Sequence, residues 1–110
     1  MNKGASIDYR GALEAVERIL NRGGEPDLVL QEVLEALRSR GLAFGKVRFG
    51  GNGRLLDGPS VGDGDGIVLP IVSGGAEIGS LELAVSDVAF AERVATLISP
   101  YVVRLEAGVQ

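Results

Sequence analysis

Asp57, Asp63 and Asp65 stand among four glycines in "DGPSVGDGDG", and the chain then turns apolar at "IVLP". Carboxylates at that spacing first suggest a hard-cation loop, because Ca²⁺ takes six or more oxygen ligands from closely spaced acids and carbonyls. The EF-hand order fails the comparison. With Asp63 and Asp65 in its third and fifth places, Val61 falls in the first and Val72 in the last, and neither supplies an oxygen. A single copy also falls short of the stacked glycine–aspartate repeats that bind calcium. The expectation is a loop in which Asp and Gly reverse the chain, with no metal. "GLAFGKV" from Gly41 resembles a phosphate loop only superficially: the G-x-x-x-x-G-K-S/T spacing is missed, and Val47 stands where the hydroxyl should be. "GGNGRL" from Gly50 lacks the dinucleotide spacing and reads as a hairpin turn.

The chain has no Cys and no His. That removes disulfides, thiol nucleophiles, the usual zinc ligands and the side chain that most often works as a base near neutral pH. An enzyme would have to rely on carboxylates, Lys, Tyr or Ser, so the expectation is no catalysis and no cofactor. The net charge of −4 and the 5% aromatic content argue against nucleic acid, which calls for basic patches and stacking platforms. No apolar run approaches the length of a membrane span, and no secretory leader is recognisable. A cytoplasmic protein is the default expectation. At 110 residues the chain has the size of a single domain, taken as residues 1–110.

The hydrophobic periodicity indicates what must position these groups. Leu13, Val16, Ile19 and Leu20 recur at helical spacing, with Ser6 or Asp8 as cap and Gly23-Gly24 as stop. Pro26 and Asp27 open a second helix carrying Leu30, Val33, Leu34 and Leu37, which Gly41 closes. From Ala43 the period changes to two. Val47 and Phe49 face one way, Phe44, Lys46 and Arg48 the other, and a short return strand is expected over 54–57. "GIVLPIVS" and "AEIGSLELAVS" form a second hairpin about Gly74-Gly75. Pro70 marks its strand as an edge or a bulge, since proline donates to no ladder. Ser86 or Asp87 caps a last helix bearing Phe90, Val94, Leu97, Ile98, Tyr101 and Leu105, with Pro100 expected to kink or interrupt it. The predicted fold is α+β: a four-stranded antiparallel sheet of two hairpins, with two N-terminal helices and one C-terminal helix on one face. Val47, Phe49, Leu81, Leu83 and Val85 are expected on the covered side.

Leu69-Pro70-Ile71, Gly74-Gly75 and Ile78-Gly79-Ser80-Leu81-Glu82-Leu83, followed by a helix opening near Phe90, resemble the closing hairpin and helix of GAF domains. The likeness spans roughly residues 11–106, and its motifs are of low specificity. It implies a sensory or regulatory module of the GAF/PAS type, with a small-molecule site on the sheet face away from the terminal helices and dimerisation through those helices. Two departures stand out. GAF domains usually insert helices and a further strand before the proline strand, and these roof the pocket; here that interval is the Asp57–Gly66 stretch alone. The cyclic-nucleotide signature has no counterpart in this chain, and the cysteines of the bilin-binding and sulfoxide-reducing members are absent.

By alternation the second sheet face should carry Phe44, Lys46, Arg48, Ile78, Ser80 and Glu82. One reading is a solvated face of cross-strand ion pairs, with Lys46 or Arg48 beside Glu82. The other is a shallow site for a small anionic or zwitterionic ligand. Arg48 and Lys46 would meet the anion, Ser80 and Glu82 would orient its donors, and Phe44 and Ile78 would form an apolar floor. Leu13, Val16, Leu20, Val94, Ile98 and Val102 are either core or the faces of a two-fold helical interface, with the homodimer favoured. The functional expectation is a non-catalytic, GAF-like regulatory module acting by dimerisation or partner binding, with small-molecule sensing on the open face. The alternatives are a purely structural dimerisation module and a carboxylate enzyme, for which only Glu82 is well placed.

Overall fold

A computed structural model describes residues 8–50 and 55–107. Its order is α1 (Tyr9–Arg22), α2 (Pro26–Ser39), β1 (Phe44–Phe49), β2 (Leu56–Gly62), β3 (Ile67–Ser73), β4 (Ala76–Leu83) and α3 (Val88–Ala107). Each helix begins where the chemistry of its first residues directs. The Asp8 carboxylate accepts from the Gly11 N–H at 3.0 Å, and the Asp87 carboxylate accepts from the Phe90 N–H at 3.1 Å. Each bond satisfies an N–H that the helix itself cannot pair. Pro26 opens α2, where the lost N–H costs nothing. Pro100, expected to kink or interrupt the last helix, does not interrupt it and sits inside a continuous α3. Val94, Ile98 and Val102, packed in the core on both sides of it, hold the helix in register despite the missing donor.

The four strands form one antiparallel sheet in the order β2-β1-β4-β3. The β3–β4 hairpin closes through Gly74 and Gly75 at φ 59° and 82°, the left-handed pair that a two-residue type I′ turn demands. The "GGNG" turn at 50–53 falls largely outside the described residues. Pro70 does lie on an edge strand. The return strand expected over 54–57 instead runs Leu56–Gly62, so Asp57-Gly58-Pro59-Ser60 belongs to a strand and not to a loop. β2 is the opposite edge, where a proline is tolerated, and a register shift in β1 between Lys46 and Arg48 absorbs Gly58-Pro59.

Asp63–Gly66 is then all that joins β2 to β3, and these strands occupy opposite edges. The segment reverses the chain, as its Asp–Gly composition indicates, because β2 and β3 run antiparallel, but it does so between strands that are not neighbours. It crosses the sheet end over the start of β1 and the end of β4. The crossing is tight: a Cβ at Gly62 would lie 2.0 Å from the Ala43 carbonyl oxygen, and one at Gly66 would lie 2.2 Å from that of Leu83.

All three helices gather on one side of the sheet. α2 packs on β1 and β2, and α3 on β3 and β4. α1 lies in the angle between α2 and α3 without reaching the sheet, among the described residues. Val47, Phe49, Leu81 and Leu83 are buried beneath them with Ile71, Leu30, Leu34 and Leu37. Val85, just past β4, packs on the margin of this core. Tyr101 ties the layers together: its hydroxyl donates to the Leu20 carbonyl at 2.8 Å, and Tyr9 stacks at a tilt on Phe90 with ring centroids 4.6 Å apart.

Candidate functional site

The side of the sheet that no described element covers is built from two adjacent cross-strand rows. Arg48 is the partner of Asp57 on β2 and of Ser80 on β4, and Ser80 is the partner of Pro70 on β3. One step along, Lys46 is flanked by Ser60 and Glu82, and Glu82 by Val68. The alternation of β1 and β4 thus brings Lys46, Arg48, Ser80 and Glu82 onto one face, as their spacing predicts. Phe44 stands half-buried at the start of β1 on the same face.

Ile78 departs from this set. The pairing of β3 with β4 slips between Ile71 and Val72, leaving Ile78 as an extra residue, and its side chain packs against the buried cluster. The irregularity overrides strict alternation and turns the expected floor residue toward the core.

Lys46 stands directly across from Glu82, as expected, but the ion pairs run elsewhere. Asp57, not Glu82, holds the two cations: its Oδ1 lies 3.4 Å from Lys46 Nζ and 3.2 Å from Arg48 Nε. Glu82 accepts instead from the Gly66 N–H at 3.1 Å, which fastens the Asp63–Gly66 crossing to β4. Alternation along β1 and β4 indicated Lys46, Arg48 and Glu82. Asp57 falls outside that pattern because the return strand expected over 54–57 ends there; the sign that extends the strand is Pro59, which suits a second edge. Arg48 keeps 47% of its side chain exposed against 22% for Lys46, so Arg48 is the more accessible of the two cations for a further partner. Two exposed valines, Val68 and Val72, extend this face along β3.

The helical residues expected at a dimer interface are used elsewhere. Val16, Val94, Ile98 and Val102 are all but inaccessible within the single chain, while Leu13 and Leu20 are half-buried against the same core. The two stripes on α3 reflect packing on the sheet on one side and on α1 and α2 on the other. Four of the six residues therefore offer no surface to a second copy.

Two grooves flank the sheet. One, of about 290 Å³, runs between the β3 edge and α3 and is lined by Leu69, Pro70, Val72, Glu92, Ala95 and Thr96. The other, of about 470 Å³, lies between β2, the start of α2 and Leu105 near the end of α3, with Asp27, Gln31 and Ser60 at its rim. Among the described residues no three acidic side chains converge to hold a metal ion, and no helix is long and apolar enough to cross a membrane. The chain matches no protein-family model and no curated protein.

Proposed function

We propose that this chain is a non-catalytic, GAF-like regulatory module that works by binding through the open face of its sheet. The observation that carries the reading is one-sided packing: three helices cover one face, while the other presents the rows Asp57–Arg48–Ser80–Pro70 and Ser60–Lys46–Glu82–Val68. An exposed guanidinium in the middle of such a surface suits a carboxylate or phosphate, which it can grip with two parallel hydrogen bonds. The valines along β3 supply an apolar margin for the rest of the ligand or for a partner's side chains. The absence of His and Cys supports the non-catalytic part of the reading.

A thermal-shift screen of small carboxylates, phosphates and amino acids, run on the wild type and on Arg48→Ala, tests this function. A ligand that raises the melting temperature only while Arg48 is present supports sensing on this face. With no such ligand, self-association by light scattering that Arg48→Glu abolishes supports partner binding there. If neither is seen, the reading is refuted.

A further inference from the structure

The edge of β3, which pairs with no other strand among the described residues, carries an arrangement that neither the core nor the open face requires. The Gly50 N–H donates to Ile78 and the Ala84 N–H to Phe44, so the even-numbered positions of β4 direct their backbone groups at β1. Gly79, Leu81 and Leu83 must then bond β3, through their partners Ile71, Leu69 and Ile67. The turn-flanking pair Ser73–Ala76 keeps the same alternation. Val68, Pro70 and Val72 therefore point their backbone groups outward. The segment Ile67–Ser73 bears no charge, Val68 and Val72 are 59% and 52% exposed, and the groove beside α3 leaves room along the edge. An uncharged, apolar, unpaired edge of this kind is a template for another strand. The opposite edge is protected in other ways, by Asp57, by Gly58-Pro59 and by the irregular register beside them.

We infer that Pro70 keeps the β3 edge closed to strand addition, and that the strand it excludes is β3 of a second copy of this chain. Antiparallel pairing about a two-fold axis would set Val68 of each copy against Val72 of the other, with the two Pro70 residues facing at the centre. No charge opposes that approach. At the centre, however, each proline ring occupies the place where an N–H would point at the facing carbonyl, so the ladder is obstructed where it would be strongest. A single residue thus stands between this edge and a sheet continued through two molecules. This backbone edge runs along the outer ends of the rows around Arg48, where Val68 and Pro70 lie.

Pro70→Thr tests the inference. The residue is exposed on an edge strand and threonine favours strands, so the variant should retain wild-type circular dichroism. Its mass by light scattering should rise with concentration toward double that of the wild type, and adding Val68→Lys should return it to the wild-type mass. In the wild type, hydrogen exchange should find the Val68 amide unprotected and the Leu69 and Ile71 amides protected. In Pro70→Thr the Val68 amide should become protected as the protein associates. A Pro70→Thr protein that keeps the wild-type mass, association that survives Val68→Lys, or a protected Val68 amide in the wild type would each overturn the inference.

Discussion

The crossing over the sheet end makes a sharp prediction because two glycines in the same backbone region differ in only one respect. Gly62 has φ 75° and Gly74 has φ 59°, both left-handed, so alanine at either place meets a similar conformational penalty of about 1 kcal/mol. Around Gly74 a Cβ would find nothing within 4 Å, whereas at Gly62 it would lie 2.0 Å from the Ala43 carbonyl oxygen and 3.1 Å from its carbon. Those atoms are backbone immediately before β1 and have no rotamer with which to yield. Relieving the overlap means lifting the Asp63–Gly66 crossing away from the sheet, a distortion of the kind that costs about 1–3 kcal/mol. Gly74→Ala should therefore lower the unfolding free energy by about 1 kcal/mol and Gly62→Ala by about 2–4 kcal/mol. Urea denaturation followed by circular dichroism measures both, with the midpoint shift read at constant slope. Equal losses for the two variants would mean that the segment does not pass tightly over Ala43, and the reasoning about the crossing would fail.

Leu83→Ala removes a fully buried side chain from the end of the interior strand β4 and should cost roughly 2–5 kcal/mol in the same denaturation experiment, since the transfer and cavity contributions add; a neutral result would place β4 with its faces reversed. Tyr101→Phe deletes the hydroxyl that bonds the Leu20 carbonyl while keeping the ring, and should cost about 0.5–1.5 kcal/mol, with faster amide exchange at the end of α1 as the companion signal.

Much of this architecture could be read from periodicity because it is local. Helical spacing, the caps at Asp8 and Asp87 and the Gly74-Gly75 turn each depend on residues a few positions apart, so they survive without knowledge of what they pack against. The half-covered sheet was legible for the same reason: Leu81, Leu83, Ser80 and Glu82 alternate as a strand with one dry and one wet face must. The candidate site was legible only in part. Lys46, Arg48, Ser80 and Glu82 share a face as expected, but the partner of the two cations was misjudged, and Ile78 left the face through a slip in register that no local pattern announces.

What the sequence by itself determined is the identity of each element, the side of each strand that is apolar, and the absence of histidine and cysteine chemistry. What only the tertiary structure decided is which surfaces remain for function. The apolar stripes of α1 and α3 are equally compatible with a core and with an interface until the third helix is placed, and the packing of α1 against α2 and α3 consumes Val16, Val94, Ile98 and Val102. Asp63–Gly66 has the composition of a turn, yet strand order makes it a crossing, because β2 and β3 lie at opposite edges. Composition reports the conformations a segment tolerates. Where its two ends must go is fixed by long-range pairing, and that pairing leaves the Arg48 face open and Pro70 on the free edge.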